Sequence, residues 1–526
     1  MYRRRVWSSV IGDYDYKYLC KPSFLRGKND PKSSVFFPVD EPLALIVALV
    51  MGLQHSLCMT AGIITVPLIL GLKTEDVHVK QYMISSALIV SGITTVLQVS
   101  QIKISKRYAL GTGIISAMGS SFTFLPAAQS AITLQMADGA TFKEAFGKVL
   151  GTVLLCSWVE IALSFLPAKL MQKAFPPLIT GVTITLLGVS LTGTGMQSWG
   201  GGVACAESPS QLCGGNGDVA LPFGSAEYIG LGLVVLLALV AIEMLGSPFM
   251  KNTGITIALL VAYCVAAAVN KDGKSYVSSK KMEDAPWITF LWVETFPLGF
   301  FPPAVIPLMI AFVVTSLETI GDIGASEVAS RLEPSGPEHE MRVRGGLLMD
   351  GLAGVFGALG TSMPTTIFSM NNSVISVTRT ASRSVGYACG FLLVLFGTFR
   401  KMGAFITTIP DCIFGGVLTF LFANIVTAGI KMITWEKFNR RNGFILAASL
   451  GLGIGVSVNP GFFDANLWPI TSSMSHLTKG LRDAVILTLS TGYAVGGLTA
   501  MLLNLVLPLE EEDDIEGEES QPFIAV

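Results

Sequence analysis

The chain has 526 residues, of which 51% are hydrophobic and only 14% are charged. A soluble domain usually carries about 25% charged residues, so this composition excludes an ordinary soluble protein. The basic residues stand singly between apolar runs, which excludes a basic, aromatic-rich surface for nucleic acid. Apolar runs of roughly 20 residues, long enough to cross about 30 Å of hydrocarbon as a helix, recur from Leu43 to Pro508. The sequence therefore predicts a polytopic membrane protein that contacts the lipid bilayer.

The formal net charge is −2, but the charge is unevenly distributed. Residues 1–40, which we interpret as an N-terminal tail, hold eight Lys and Arg residues, and the tail at 509–526 holds eight acids. If the N-terminus is cytoplasmic, the inner segments hold 23 of the 35 Lys and Arg residues. This asymmetry is typical of cytoplasmic loops, so both termini are predicted to be cytoplasmic.

Fourteen membrane spans are predicted, which makes the expected fold class an all-α polytopic membrane protein. The spans lie near residues 43–66, 81–100, 108–127, 147–167, 174–194, 227–246, 252–269, 301–325, 344–360, 365–378, 384–399, 409–430, 443–459 and 482–508. The third and tenth of these spans are short and interrupted.

The two interrupted spans resemble each other. Residues 110–126 contain three glycines, and residues 359–375 contain Pro364 followed by a polar centre. Both segments begin with Leu-Gly-Thr, and Phe122 has the same offset in the first as Asn371 has in the second. Interrupted segments in corresponding halves are typical of transporters built from inverted repeats, because non-helical backbone at membrane depth must face protein or a cavity. Coincidence within a glycine-rich chain is the alternative.

Ionisable and amide side chains occur at membrane depth in four places. An ionisable group there costs about 2.5–3.5 kcal/mol on insertion scales, so its presence needs a reason. The four places are Gln54 with His55, Glu318 with Asp322, Asp350, and Asn371 with Asn372. Glu318 and Asp322 are four residues apart and therefore share one helix face. Burial favours the neutral form of a carboxyl group, so the three acids together indicate a proton-carrying site. For His55 alone, hydrogen bonding between helices is an equal alternative.

The cysteines give one further expectation. No CxxC pair or Cys/His cluster at zinc spacing occurs, so no metal site is predicted. Cys205 and Cys213 share a polar, glycine-rich loop, and they would form a disulfide if that loop faces outward. A bonded pair and two free thiols both remain open on the sequence.

The polar motifs resemble those of the nucleobase–ascorbate transporters, also called nucleobase–cation symporter family 2. The tenth span, NNSVISVTR from Asn371 to Thr378 and Arg379, resembles the signature motif of that family. Three other motifs resemble its first-helix pair, eighth-helix motif and ninth-helix acid: Gln54-His55, Glu318-Thr319-Ile320-Gly321-Asp322 and Asp350. The resemblance covers about residues 40–508 and is strongest to the fungal uric acid–xanthine permeases.

The resemblance implies fourteen segments in two inverted repeats of seven, with short strands in spans 3 and 10 that meet at the substrate site. A core domain would comprise residues 41–170 (spans 1–4) and 301–400 (spans 8–11). A gate domain would comprise residues 171–270 (spans 5–7) and 401–508 (spans 12–14), with residues 271–300 as an extracellular loop. A homodimer is also implied.

The resemblance further implies roles for individual side chains. Glu318 would hydrogen-bond a purine ring, Asn371 would orient it and Phe122 would stack on it. The main chain near Ser121 and Ser369 would contribute to the same site. The remaining motif residues would support the network or the coupling to protons, and these are His55, Gln54, Asp322, Asp350 and Asn372.

Two residues depart from the family's motif. Met370 stands where the family has Gln, Glu or Pro, and a thioether cannot replace the donor-and-acceptor pair of an amide. Ser373 stands at the motif's usual glycine and adds a side chain where close backbone approach is expected. A shifted or broader specificity is one interpretation of these departures. A non-transporting sensor, or degenerate paralogue, is another.

The sequence as a whole predicts a proton-coupled symporter that imports a purine nucleobase of the xanthine and uric acid class. It would act in the plasma membrane by alternating access, with the proton gradient as driving force and no cofactor. Within the same family, the alternative is a symporter of ascorbate or another organic anion. No nucleophile–base set, metal motif or phosphate-binding loop is recognised, so an enzyme is disfavoured.

Overall fold

The computed structural model describes residues 14, 16–22, 25, 36–105, 108–166, 176–207, 212–214, 219–271, 273–277, 280–463, 467–468 and 476–508. The predicted acidic tail at 509–526 and most of the basic N-terminal tail lie outside these residues. Within them the chain is mostly helical and carries four short antiparallel strand pairs.

The helices of the first half are numbered in chain order. They are α1 (Tyr16–Cys20), α2 (Leu45–Gly71), α3 (Val77–Ser100), α4 (Leu125–Ala137), α5 (Phe142–Cys156), α6 (Trp158–Leu163), α7 (Pro177–Trp199), α8 (Val203–Glu207), α9 (Ala226–Leu245), α10 (Pro248–Asn252), α11 (Gly254–Ala268) and α12 (Lys280–Glu283). Those of the second half are α13 (Val305–Ala329), α14 (Gly336–Leu359), α15 (Met370–Thr378), α16 (Arg383–Thr398), α17 (Arg400–Ile406), α18 (Asp411–Ile433), α19 (Arg440–Val458), α20 (His476–Leu489) and α21 (Gly492–Val506).

The strands are short and lie between the helices. They are β1 (Ile102–Lys103), β2 (Ala109–Leu110), β3 (Met118–Ser120), β4 (Leu212–Gly214), β5 (Ala220–Pro222), β6 (Asn270–Lys271), β7 (Lys274–Ser275) and β8 (Thr365–Ile367). Short 3-10 turns occur at Phe122–Phe124, Pro302–Ala304 and Pro460–Phe463. Three of the strand pairs join neighbours in the chain, whereas β3 pairs with the distant β8.

Eight helical segments of the described chain are long and apolar enough to cross a bilayer. They are α2, α3, α5 with α6, α7, α9, α13 with the turn before it, α18 and α19. Helices α20 and α21 form a ninth candidate, bent by 83° between them, where the sequence predicted one span at 482–508. Helices α11 and α16 are apolar but shorter. The chain is therefore a multi-pass membrane protein, while the count of fourteen spans and the inverted repeats stay predictions.

The third predicted span contains no α-helix before Leu125, and the tenth begins as a strand before α15, so both are interrupted as their glycines and proline indicated. Strand β3 pairs antiparallel with β8, and the facing pairs are Met118 with Ile367, Gly119 with Thr366, and Ser120 with Thr365. The Ser121 N–H donates to the Pro364 carbonyl at 2.9 Å, and the Phe368 N–H donates to the Ala117 carbonyl at 3.1 Å. Each broken span thus satisfies backbone groups of the other, which lipid could not do. The expected meeting of the two strands is confirmed.

Both strands lead directly into helices. After β3, a 3-10 turn opens α4, and Pro126 stands in the first turn of that helix, where its missing N–H costs nothing. After β8, α15 begins at Met370. Because the strands are antiparallel, α4 and α15 start at opposite ends of the pair, while the rings of Phe122 and Phe368 stack on each other.

Small residues allow close helix packing. A Cβ atom on Gly92 of α3 would lie 2.5 Å from the Gly390 carbonyl oxygen of α16, so glycine is required for this crossing. Helices α2, α3 and α16 pack together, and α7 packs along α18 and α21. The division of the chain into core and gate domains stays a prediction.

The loop between α8 and α9 contains the β4–β5 pair. Cys205 and Cys213 form a disulfide there, with their Cα atoms 5.5 Å apart. The Tyr228 hydroxyl of α9 donates to the Cys213 carbonyl at 2.9 Å and ties the loop to that helix. Of the two alternatives that the sequence left open, the structure contains the bonded pair.

Candidate functional site

Helix α13 carries polar side chains on two faces. Glu318 and Asp322 are half-buried, and a Cβ atom on Gly321 between them would meet no atom within 4 Å. Ala325, one turn further along the same face, is exposed. Thr319 points away from this face and is fully buried. The helix therefore presents its two predicted acids to an open space and its hydroxyl-bearing face to the protein interior.

Glu318 is held close to the end of β3. The Thr123 hydroxyl donates to the Glu318 carboxylate at 3.3 Å, and Thr123 directly follows Phe122. The structure thus brings Glu318 and Phe122, both predicted from the sequence, to one place. Thr123 was not predicted, because no motif or cost of burial distinguishes a threonine in this position.

Three aromatic rings meet beside Glu318. Phe122 stacks on Phe368, with ring centroids 6.0 Å apart and an interplanar angle of 16°. Phe422 of α18 meets Phe122 edge-on, with centroids 5.7 Å apart. Met370 packs against the hydrophobic cluster that contains Phe368. Phe368 and Phe422 were missed because phenylalanine is too common in apolar spans to be singled out.

Asn371 is buried and joins three elements. Its amide nitrogen donates to the Ala117 carbonyl at 3.0 Å and to the Phe368 carbonyl at 2.9 Å. Its amide oxygen lies 3.0 Å from Nδ1 of His55 in α2. Because the amide nitrogen is used as a donor, the oxygen accepts, and Nδ1 of His55 carries the proton. The predicted residues His55 and Asn371 therefore form one network between α2, β3 and α15.

The other predicted side chains differ in exposure. Ser369 is exposed, whereas the Ser121 hydroxyl is buried and has no hydrogen-bond partner among the described residues. The same holds for both amide atoms of Gln54. Asn372 accepts a hydrogen bond from Ser326, which ties α15 to α13.

The end of the signature motif lies away from Glu318. Thr378 is buried at the last turn of α15, and its carbonyl accepts from the Tyr14 hydroxyl at 3.0 Å. Arg379 follows with a left-handed backbone, and its carbonyl accepts from the Phe37 N–H at 2.9 Å. This end of the motif therefore joins α15 to the N-terminal segment.

Asp350 of α14 lies on the buried side of α13. The hydroxyl groups of Thr319 and Thr366 donate to one of its carboxylate oxygens at 2.6 and 2.9 Å. A second buried acid, Glu160 of α6, lies beside this part of α14, since a Cβ atom on Gly351 would be 3.2 Å from the Glu160 carbonyl carbon. Glu160 accepts from the Ser316 hydroxyl at 3.0 Å. Sequence reasoning missed Glu160, although an acid inside an apolar run was a usable signal.

A further buried acid lies at the end of α13. Nδ1 of His339 lies 2.6 Å from one carboxylate oxygen of Glu327, Arg342 forms an ion pair with the other at 3.0 Å, and Arg342 also pairs with the exposed Glu338. In the structure this cluster fastens the start of α14 to the end of α13.

A family model described as the Permease family matches residues 47–462. The chain belongs to the nucleobase–ascorbate transporter family. Members of this family are membrane permeases rather than enzymes, and the family resemblance of the polar motifs is thereby confirmed.

Curated relatives match over almost the whole chain. The uric acid-xanthine permease of Emericella nidulans is 39% identical, over 96% of this chain and 88% of that protein. The purine permease of the same organism is 37% identical, over 97% of this chain and 90% of that protein. Xanthine permease XanQ of Escherichia coli is 30% identical, over 91% of this chain and 95% of that protein.

Solved structures support the fold. The transmembrane domain of the cyanobacterium bicarbonate transporter BicA superposes with a TM-score of 0.52, over 80% of this chain and 98% of that domain. Its sequence identity is 14%, so the likeness concerns the fold alone.

Replacing Asn371 by alanine is expected to destabilise the protein. The change leaves Nδ1 of His55 without its buried acceptor, and an unsatisfied buried group costs about 1–3 kcal/mol. The carbonyl groups of Ala117 and Phe368 each lose one of their two donors and keep a backbone N–H. Purified Asn371→Ala protein should melt at a clearly lower temperature than the unmodified protein. The matched control is Asn424→Ala, since the exposed Asn424 donates only within its own helix. Equal melting temperatures for the two variants would contradict the structural role of Asn371.

Proposed function

We propose that the protein is a proton-coupled symporter that imports a purine nucleobase of the xanthine and uric acid class across the plasma membrane. The observation that supports this most directly is that Thr123 holds the Glu318 carboxylate beside Phe122, where the broken spans meet. A planar heterocycle can stack on an aromatic face while its N–H groups donate to a carboxylate. Relatives named as uric acid-xanthine, purine and xanthine permeases support this substrate class.

Alternating access is supported by the aromatic contact. Phe122 and Phe368 belong to the predicted core domain, and Phe422 belongs to the predicted gate domain. A movement of the gate relative to the core would therefore change the edge-on contact between Phe422 and Phe122. We propose that this movement opens and closes the substrate site.

Coupling to protons is supported by the acids that surround the site. Glu318 and Asp322 lie one turn apart on α13, and Thr319 between them donates to Asp350 at 2.6 Å, so the three acids are close enough for their charges to repel. A proton bound to one of them lowers the repulsion felt by the others. If the protonated protein binds substrate more tightly, thermodynamic linkage makes the proton gradient drive substrate accumulation.

The remaining features of the proposal come from the sequence. The Lys and Arg asymmetry supports cytoplasmic termini. The family resemblance supports a homodimer with no cofactor.

A second candidate is symport of ascorbate or another organic anion. The observation that favours it is Met370, which packs with apolar side chains where purine carriers of the family place an amide. A thioether offers no N–H donor to a purine carbonyl. A non-transporting sensor is the third candidate, and it predicts binding without uptake.

Glu318→Gln is expected to reduce uptake of radiolabelled xanthine at least tenfold in cells that lack their own purine carriers. The amide keeps the size of the side chain but removes the charge, and a hydrogen bond to a charged group contributes about 1.5–3 kcal/mol. The surface amount of the protein, measured by labelling, should be unchanged. Glu243→Gln is the matched control, because Glu243 is exposed near the end of α9 and pairs with the surface residue Lys251. Uptake by Glu318→Gln at the unmodified rate would exclude Glu318 from the substrate site.

Met370→Gln is expected to tighten xanthine binding about fivefold to tenfold. The new amide adds one hydrogen bond at the half-buried position beside Phe368, worth roughly 1 kcal/mol. The measurement is the dissociation constant of xanthine, obtained from the dependence of the melting temperature of the purified protein on xanthine concentration. Met402→Gln, at an exposed position of α17, serves as the control. Weaker or unchanged xanthine binding by Met370→Gln would show that position 370 does not face the purine.

A further inference from the structure

We propose that Glu160 and Asp350 share one proton and together form the site at which the proton gradient acts on this carrier. The inference rests on the proposed function, since it assigns a place to the coupled proton. Glu160 lies in α6 and Asp350 in α14. Glu160 does not belong to any of the sequence motifs that resemble the family.

The two acids are enclosed by the protein. Glu160 is 1% exposed and Asp350 is 2% exposed. Hydroxyl groups surround them: Ser316 and Thr315 donate to the two oxygens of Glu160 at 3.0 and 3.5 Å. Thr319 and Thr366 donate to a single oxygen of Asp350.

No cation balances the pair within the described chain. The salt bridges there include neither acid, and the titratable groups that interact with Asp350 are all acids, namely Glu160, Glu318 and Asp322. Helix α13 contributes Glu318 and Asp322, α6 contributes Glu160, and β8 contributes only the neutral Thr366.

The backbones that carry the two acids are in contact, since a Cβ atom on Gly351, next to Asp350, would lie 3.2 Å from the Glu160 carbonyl carbon. Two carboxylates held this close in a water-poor environment repel strongly. A proton held between them removes one negative charge and leaves the other stabilised by the hydroxyl donors. The second oxygen of Asp350 lacks a hydrogen-bond donor among the described residues, so it is available to receive a proton that Glu160 holds. Coupling to a proton gradient requires a group that binds one proton and releases it, and this pair of acids is such a group.

The pair is connected to the substrate site through two short routes. Thr319, which donates to Asp350, directly follows Glu318 in α13. Thr366, the second donor, faces Gly119 of β3 across the strand pair. Gly119 lies three residues before Phe122 in the chain. When the pair loses its proton, the hydroxyl groups of Thr319 and Thr366 meet two negative charges instead of one. Both elements that carry the substrate site therefore respond to the proton.

Glu160 accordingly acts as a positioning and proton-holding residue that does not touch the substrate. Glu160→Gln tests this role, because glutamine keeps the acceptor for Ser316 and offers Asp350 an N–H in place of the shared proton. The variant should retain the fold but lose the ionisable pair.

The experiment compares purified proteins in vesicles loaded with buffer or with unlabelled xanthine. Radiolabelled xanthine is supplied outside, either with an inward pH gradient or in exchange for internal xanthine without one. We expect the ratio of gradient-driven accumulation to exchange to fall at least fivefold in Glu160→Gln. The rate difference between external pH 5.5 and 7.5 should also disappear. Glu243→Gln, far from any acid of the site, should keep both the ratio and the pH dependence.

An unchanged ratio and pH profile in Glu160→Gln would overturn the inference while leaving the proposed function intact. If the unmodified protein moves no xanthine, the proposed function fails, and the inference is judged by infrared spectroscopy. The carboxylic acid band of a buried protonated group should be present in the unmodified protein and weaker in Glu160→Gln. Asp350→Asn should weaken the same band, and it replaces Glu160→Gln if that variant does not fold. Bands of equal strength in all three proteins would overturn the inference.

Discussion

The pairing of β3 with β8 is the constraint on which the rest of the molecule depends. Two predicted spans leave the helical conformation, and their mutual hydrogen bonds satisfy backbone groups that lipid could not satisfy. Because the pairing is antiparallel, the helices that follow the two strands start at opposite ends of the pair. Phe122, which follows β3, stacks on Phe368, which follows β8, and α13 supplies Glu318 from the side.

Helix α13 joins the two halves of the proposed mechanism. Its open face carries Glu318 and Asp322, and its buried face carries the hydroxyl groups that hold Glu160 and Asp350. A charge change on the buried side therefore acts on the same rigid element that presents the substrate-binding acid. The edge-on contact between Phe422 and Phe122 connects the substrate site to α18. Proton binding, substrate binding and movement of α18 therefore act on residues that contact one another.

Sequence reasoning depends on residues whose type is unusual or costly at membrane depth. Glycines and prolines indicated the two broken spans, and the free-energy cost of an acid at membrane depth singled out Glu318 and Asp350. The pairing of the strands came from the family resemblance, because hydropathy contains no information on partners. Thr123 and Phe422 could not be predicted, since their types are ordinary and only the folded chain gives them neighbours. Glu160 was equally costly, but it stands outside every motif and was overlooked for that reason.

The most direct test of the account is uptake of radiolabelled xanthine by the unmodified protein in cells without purine carriers. Uptake is measured at pH 5.5 and 7.5, with unlabelled urate, hypoxanthine, uracil and ascorbate as competitors. The account predicts saturable uptake that is faster at pH 5.5 and is blocked by urate. Absence of uptake with the protein shown at the cell surface, or uptake blocked by ascorbate and not by urate, would contradict a purine carrier.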